Sequence, residues 1–198
     1  ILSGVWAVFV DGMDQCVLID QRTYPQRTTS EPDQDKSFRG SRDGFVETMV
    51  FNAALIRRRI RSPRLCVEHL EVGETSRTDV AVCYFEGRAD PELVNTVRER
   101  IAQARVDALT MNQESLAELL VRKRWYNPFP KFKFTERPDA AAAQILEGDV
   151  VVLVDNSPAA IILPTTLFDV MEEANDYYFP PITGSYLRLV RFFTTFLT

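Results

Sequence analysis

The chain has 198 residues, of which 45% are hydrophobic and 26% charged, and its formal net charge at pH 7 is −5. This length is enough for one domain or two small ones with a sizeable core. The acidic balance argues against a general nucleic-acid binder, because a phosphate backbone selects clustered lysines and arginines. Three cysteines without paired spacing indicate buried thiols in a reducing compartment, rather than a disulfide framework or a zinc site.

The chain begins with ILSGVWAVFVDGMD, and a later stretch reads ILEGDVVVLVDNSP. Runs rich in β-formers at 5–10 and 15–19 flank Asp11-Gly12, which predicts a hairpin with a two-residue turn. Runs at 150–154 and 159–163 repeat this arrangement. The shared Ile-Leu-x-Gly lead-in fits a helix end whose glycine precedes a strand. We therefore predict a duplicated unit, and we expect the first copy to lack the strands and helices that should precede it.

The polar segment TYPQRTTSEPDQDKSFRGSRDG follows the first hairpin and is long for a connection within a compact domain. It is either functional or a crossing between two subdomains. After it, the spacing of apolar residues predicts a helix over 45–60, with Asp43 or Gly44 as its N-cap. Pro63 stops this helix after a basic cluster that suits the helix dipole.

The rest of the chain alternates strand and helix patterns. LCVEHLEV and DVAVCYFEG predict two strands, and Asp90-Pro91 opens a helix with an aspartate cap and a proline in the first turn. A second helix follows Asn112, KFKF is extended, and Pro138 begins the helix that leads into the second hairpin. The predicted order is β-β-α-α-β-α-β-β.

These patterns predict an α/β fold of the α+β type, with two related subdomains whose mixed sheets are flanked by helices. Residues 1–40 would hold the final hairpin of a truncated first subdomain and the crossing loop. Residues 41–180 would form the second subdomain with a linking helix. Residues 181–198 would begin a membrane-proximal or transmembrane helix.

The last stretch, YLRLVRFFTTFLT, carries no charge after Arg191. It is either an ordinary C-terminal helix packed on the domain or the first turns of a membrane helix. Arg188 and Arg191 lie at the start of the apolar run, and the positive-inside rule would place that side in the cytosol. The N-terminus lacks the pattern of a signal peptide.

Little in the sequence suggests catalysis. His69 is the single histidine and falls within a predicted strand, and no nucleophile-elbow, zinc or phosphate-loop motif is present. We therefore expect no catalytic residue, no cofactor and no metal site. An enzyme would need a cleft that holds His69 beside an acid or a nucleophile.

Charged clusters are the remaining candidates for function. The run Arg57, Arg58 and Arg59, with Arg61, is dense enough to bind an anionic partner or lipid headgroups, although most such clusters are solvated helix ends. Arg137 precedes a helix, where it would either pair with an acid across the subdomain junction or serve the helix end.

Three segments carry a resemblance to a known family. EPDQDKSFRGSRDGFVETMVFNAALIRRRIRSPRL, TERPDAAAAQILEGDVVVLVDNSPAAIILPTT and DYYFPPITGSYLRLVRF resemble, in the right order, the GerA family of spore germination membrane proteins. YNPFP, TERPD and VDNSPAAIILPTT are more similar to the AF-type branch of this family than to the A subunits of its nutrient receptors.

The resemblance implies a cytosolic domain of two α/β subdomains ahead of a bundle of membrane helices in the inner spore membrane. It also implies a homo-oligomeric ion channel that promotes ion release during germination, with a small membrane partner subunit and other germination proteins, and no nucleic acid. The alternatives are a receptor A subunit or a domain that binds a small molecule between its subdomains.

The residues we expect to make partner or subdomain contacts are charged and lie in these segments. In the alternative interpretation they are internal salt bridges and helix caps. They are Glu31, Arg39, Arg42, Glu47, Arg57, Arg58, Arg59, Glu136, Arg137 and Asp139.

Overall fold

The structure is a computed structural model that describes residues 6–12, 15–19, 31–32, 41–104, 113–120, 132–166 and 181–197. Within these ranges the chain forms seven strands and five helices. The strands are β1 (Trp6–Phe9), β2 (Cys16–Ile19), β3 (Leu65–Val72), β4 (Thr78–Phe85), β5 (Lys133–Thr135), β6 (Val150–Val154) and β7 (Ala160–Leu163). The helices are α1 (Met49–Arg59), α2 (Pro91–Ala102), α3 (Gln113–Leu120), α4 (Pro138–Glu147) and α5 (Pro181–Leu197).

Five strands form one sheet in the order β3-β4-β6-β7-β5. The predicted order β-β-α-α-β-α-β-β is confirmed from β3 to β7, and so is the α+β class. Every strand pair in this sheet is antiparallel, so the expectation of mixed sheets is wrong. The pairs β3–β4 and β6–β7 join consecutive strands through short connections, which makes them antiparallel, and the long-range pairs β4–β6 and β5–β7 are antiparallel as well.

Helices cover both faces of the sheet. α1 and α4 pack on one face around Met49, Ile56 and Ile145. α2 and α3 pack on the other face around Val97 and Leu116. Because both faces are covered, β6 and β7 read as the continuous apolar runs VVVLV and AIIL, and every residue in them is buried.

Two helix ends follow the predicted signals closely. The Asp90 side chain accepts a hydrogen bond from the Glu92 N–H at 2.9 Å, and Pro91 occupies the first turn of α2. Gly148 ends α4 in the left-handed conformation with φ of 117°. A Cβ there would lie 2.9 Å from the Arg88 carbonyl oxygen, so both the backbone conformation and the close approach require glycine.

The first helix is shorter than its sequence pattern predicts. α1 begins at Met49, its N-cap is Thr48, and Thr48 makes no side-chain capping bond. Neither Asp43 nor Gly44 is the cap, because residues 41–48 are not helical. Their backbone hydrogen bonds go to other elements instead, which replaces the first turn of the predicted helix.

The first hairpin, β1 and β2, is a separate two-stranded sheet in which Trp6 pairs with Ile19 and Phe9 with Cys16. The predicted hairpin is therefore present, but six residues rather than two connect its strands. Large apolar side chains of the hairpin, among them Trp6 and Phe9, are exposed. The duplicated unit and the domain boundaries at 40 and 180 stay predictions.

All three cysteines lie in strands and are free. Cys83 is buried, and burial raises the pKa of its thiol to about 12. Cys66 is half-buried and Cys16 is exposed, so the expectation of buried thiols is wrong for Cys16.

Candidate functional site

Residues 41–48, which we call the leading segment, run across the N-terminal ends of two helices. The Phe45 N–H donates to the Glu136 carbonyl oxygen at 2.8 Å, just before α4. The Asn156 N–H, in the turn between β6 and β7, donates to the Glu47 carbonyl oxygen at 2.8 Å. Phe45 and Val46 are buried. The leading segment therefore joins α1, α4 and the β6–β7 hairpin at one place.

Asn52 fixes the centre of the leading segment from the first turn of α1. Its side-chain oxygen accepts from the Val46 N–H at 2.8 Å, and its amide nitrogen donates to the Val46 carbonyl oxygen at 2.5 Å. Asn52 is only 1% exposed. These two bonds satisfy both backbone polar groups of a buried residue, which would otherwise be costly to desolvate.

Asp155 caps the N-terminus of α1, where the N-cap residue Thr48 makes no side-chain capping bond. Its Oδ1 accepts from the Met49 N–H, the first of the helix, at 3.0 Å, across 106 positions of sequence. A carboxylate is also favourable at a helix N-terminus because of the helix dipole. Asp155 is thus a long-range anchor as well as a residue of the β6–β7 turn.

Arg137 is the largest polar side chain in the interior, with 1% of its surface exposed. Its Nε and Nη2 donate to the two carboxylate oxygens of Asp139 at 3.0 and 2.5 Å, a bidentate pair. Nη2 also donates to the Ser41 carbonyl oxygen at 3.2 Å. Arg137 therefore ties the first turn of α4 to the beginning of the leading segment.

The arginine cluster at the end of α1 meets the same segment. Arg59 Nη2 lies 2.6 Å from both carboxylate oxygens of Asp43, and Arg58 Nη2 lies 2.8 Å from one of them. The Arg58 side chain is 62% exposed, whereas that of Arg59 is 18% exposed. Arg57 is exposed and donates to the Ser62 carbonyl oxygen at 3.2 Å.

The structure thus places seven of the ten predicted residues in or around the leading segment. Glu47 and Glu136 act through their backbone carbonyls, and Arg137, Asp139, Arg58 and Arg59 act through ion pairs. Arg42 lies within the segment with its side chain exposed. The other three are Arg57, which is exposed at the end of α1, Glu31, which is also exposed, and Arg39, which lies outside the described residues.

A second polar cluster lies on the α2 side of the sheet, where β3 and β4 meet α2. Arg98 donates to both carboxylate oxygens of Glu68 at 2.9 and 2.7 Å, and the Tyr84 hydroxyl donates to Glu68 Oε1 at 2.6 Å. The hydrogen bonds from Arg98 lower the pKa of the Glu68 carboxyl. The carboxylate in turn raises the pKa of the Tyr84 hydroxyl, because the hydrogen bond to Glu68 stabilises the protonated phenol.

A shallow pocket of about 200 Å³ lies beside this cluster, lined by Tyr84, Pro91, Asn95 and Arg98 among others. It is smaller than the usual ligand pocket of roughly 300–1,000 Å³. It lies at the β4–α2 connection rather than between two subdomains, where a small-molecule sensor was expected to bind its ligand.

His69 lies on β3 with its side chain exposed, and it does not line that pocket. The sequence predicts that His69 lies in a strand, and the structure shows that this strand, β3, is an edge of the five-stranded sheet. Among the described residues, no three His, Cys, Asp or Glu side chains come close enough together to hold a metal ion.

Helix α5 presents an exposed apolar stripe. Ile182, Tyr186, Leu189, Val190 and Phe193 share one side of the helix, and Ile182, Tyr186 and Phe193 are 86%, 66% and 54% exposed. Arg188 and Arg191 are half-buried on the opposite side. No helix in the described ranges combines the length and the apolar content that crossing a bilayer requires.

Spore germination and sporulation proteins match this chain, both as a family model and as individual relatives. The model of the family described as Bacillus/Clostridium GerA spore germination protein matches residues 1–198. Stage V sporulation protein AF of Bacillus subtilis (strain 168) is 51% identical over 193 residues, which cover 98% of this chain and 39% of that protein. Spore germination protein A1 of the same organism is 33% identical over 198 residues, which cover 100% of this chain and 41% of that protein.

The chain spans about two fifths of the length of the curated relatives it matches. The solved structures that are similar include the N-terminal domain of the A subunit of the Bacillus megaterium spore germinant receptor GerK3. It is 32% identical, with a TM-score of 0.49, and the match covers 63% of this chain and 97% of that domain.

Proposed function

This chain belongs to the Bacillus/Clostridium GerA spore germination protein family, and we propose that it is the cytosolic N-terminal domain of a spore germination membrane protein. In this proposal the full-length copies form a homo-oligomeric ion channel in the inner spore membrane, and the channel promotes ion release during germination. The domain serves assembly and gating rather than catalysis. The 51% identity to stage V sporulation protein AF, against 33% to a spore germination A protein, supports an AF-type role over that of a receptor A subunit.

The exposed stripe of α5 is the observation that carries the membrane part of the proposal. Large apolar side chains rarely line one side of a 17-residue helix in water unless another phase or molecule covers them. Each such side chain gains roughly 1.5–3 kcal/mol when it leaves water. Arg188 and Arg191 lie on the opposite side of this helix, so each attracts an anionic lipid surface by less than the roughly 1 kcal/mol of an arginine at the surface itself.

The proposed gating role rests on the leading segment. It connects α1, α4 and the β6–β7 hairpin through main-chain hydrogen bonds, and the exposed guanidinium of Arg58 lies at its edge. A partner that binds Arg57 and Arg58 would therefore act on a segment that contacts three elements of the core. In this proposal the partner surface lies beside the candidate site, and no bound small molecule is required.

Vesicle flotation tests the membrane contact. The 198-residue chain is expected to float with phosphatidylglycerol vesicles and to bind phosphatidylcholine vesicles less. The double variant Tyr186→Ser/Phe193→Ser is expected to bind at least about 100-fold more weakly, because it removes two large side chains from the stripe. The matched control Trp6→Ser/Phe9→Ser removes two equally exposed aromatic side chains from the hairpin and should float like the wild type.

Flotation that survives Tyr186→Ser/Phe193→Ser, or that is lost only in the hairpin control, would refute a role for α5. The channel part of the proposal needs a cellular measurement. Spores of Bacillus subtilis that lack stage V sporulation protein AF should release ions more slowly, as read by an ion-selective electrode. The full-length protein should restore the rate, and equal rates with and without it would contradict the proposal.

A further inference from the structure

Strand β3 forms one edge of the five-stranded sheet and pairs with β4 alone. It is eight residues long, and its register with β4 is continuous from Leu65↔Phe85 to Val72↔Thr78. Proteins usually protect a long edge with a bulge, a proline or a lysine, because its free backbone groups would pair with another chain. The sequence LCVEHLEV contains neither proline nor lysine, and its pairing has no bulge.

The register identifies which backbone groups point away from the sheet. The Glu86 N–H donates to the Arg64 carbonyl oxygen at 2.9 Å, and these residues are opposite each other by extension of the register. Hydrogen-bonded pairs alternate along an antiparallel ladder, so 66, 68, 70 and 72 face β4. Val67, His69 and Glu71 therefore direct their N–H and C=O groups outward.

No hydrogen bond from any described residue reaches those six outward groups. The His69 and Glu71 side chains are also exposed. The edge thus offers three donors and three acceptors in the spacing of a strand, which is the arrangement that an added strand binds. A second observation concerns charge: Glu71 is directly opposite Asp79 on β4, so the edge ends in two neighbouring carboxylates.

We propose that β3 pairs with β3 of a second copy of this chain, antiparallel about a two-fold axis at Leu70. In this register His69 of each copy is opposite Glu71 of the other, and each imidazole N–H donates to a carboxylate. Leu70 is opposite Leu70 of the partner on the α2 side of the sheet. Four main-chain hydrogen bonds and two His–Glu pairs join the copies into a ten-stranded sheet, and this inference does not depend on the proposed membrane role.

The neighbouring self-complementary registers are less favourable. A two-fold axis at Glu68 places Glu68 opposite Glu68, and because each already pairs with Arg98 of its own chain, this register adds no opposite-charge pair and leaves Glu71 opposite Leu65. An axis at His69 places His69 opposite His69 and Glu71 opposite Val67, so each carboxylate loses its partner. Only the axis at Leu70 places a hydrogen-bond donor beside the Glu71–Asp79 pair.

Sedimentation velocity on the 198-residue chain, up to about 1 mM, tests the pairing; this range covers the effective concentrations of tethered copies. We expect a reversible monomer–dimer equilibrium. His69→Glu places glutamate opposite Glu71 and should raise the dissociation constant at least about tenfold. The charge swap His69→Glu/Glu71→His restores opposite partners and should recover the wild-type constant.

His69→Pro provides a test that is independent of charge. It removes an outward N–H that the sheet of its own chain does not use, so the fold should persist while the dimer is lost. Amide exchange gives a residue-level readout: His69 and Glu71 should exchange more slowly at high concentration, whereas Leu70, already bonded to β4, should not change. A chain that is monomeric throughout, or a dimer that His69→Pro leaves intact, would overturn the proposal.

Discussion

Replacing Asn52 with alanine is the most direct test of how the leading segment is held. Asn52 is 1% exposed, and its side chain accepts from the Val46 N–H and donates to the Val46 carbonyl oxygen. Val46 is also 1% exposed, so the substitution leaves two buried backbone groups without these partners. Each unsatisfied group costs about 1–3 kcal/mol, and alanine returns less than about 1 kcal/mol through its better helix propensity.

We therefore expect Asn52→Ala to lower the free energy of unfolding by about 3 kcal/mol, measured by urea denaturation of the 198-residue chain. Asn52→Asp should be at least as destabilising. It keeps an acceptor for the Val46 N–H but places a second carboxylate oxygen against the Val46 carbonyl oxygen. Amide exchange should locate the effect, with Val46 becoming less protected than the sheet residues Val151 and Val152.

Asn95→Ala is the matched control. Asn95 is exposed on α2 and accepts only a side-chain hydrogen bond from Arg98 among the bonds described for it. Its replacement should change stability by no more than about 0.5 kcal/mol. A loss below about 1 kcal/mol for Asn52→Ala would mean that the Val46 groups find other partners. It would refute the conclusion that Asn52 holds the leading segment.

Two further substitutions test other parts of the structure. Gly148→Ala should lower the melting temperature more than Gly87→Ala, because both glycines have positive φ but only at Gly148 would a Cβ meet backbone, 2.9 Å from the Arg88 oxygen. Equal decreases in melting temperature would show that the closeness of the Arg88 oxygen adds nothing to the cost of the substitution at Gly148. Glu68→Gln tests the pKa shift. Because the hydrogen bonds from Arg98 lower the folded-state pKa of Glu68 below its ordinary 4.5, its stabilisation is present above that pH and is lost on acidification. Urea titrations should show wild type more stable than Glu68→Gln at pH 7 by about 1 kcal/mol or less, since the pair is partly exposed, and nearly equal at pH 3. A pH-independent difference would contradict the pKa shift.

Local signals in the sequence were sufficient for most of the fold. The Asp90-Pro91 cap, the glycine at 148 and the apolar runs of β6 and β7 each depend on residues close in sequence, and each is confirmed. The order of strands and helices follows from these signals. The relative directions of the strands could not be predicted from local signals. The antiparallel arrangement of β4 and β6 depends on a pairing between residues about 70 positions apart.

The candidate site was less predictable for the same reason. The helical spacing of Phe45 and Met49 predicted that α1 begins at Phe45, but Phe45 lies in a non-helical segment and is buried there. Hydrogen bonds with Asn52, Glu136 and Asp155 fix where α1 begins and hold the preceding residues outside the helix. In the sequence, Asp155 falls only between the predicted strand runs 150–154 and 159–163. A single sequence contains no signal that a carboxylate 106 positions away will accept from the first N–H of the helix.

The residues that form the core and the large apolar side chains that are exposed lie in different parts of the described chain. The core clusters draw on residues 45–163, and both faces of the sheet are covered within that range. The β1–β2 hairpin and α5 instead expose large side chains such as Trp6, Phe9 and Tyr186. Polar substitutions there remove no contact from the core clusters, so they should leave the unfolding free energy of the sheet within about 0.5 kcal/mol of wild type. Any loss of membrane binding or germination that such variants cause can therefore be assigned to a contact with another molecule.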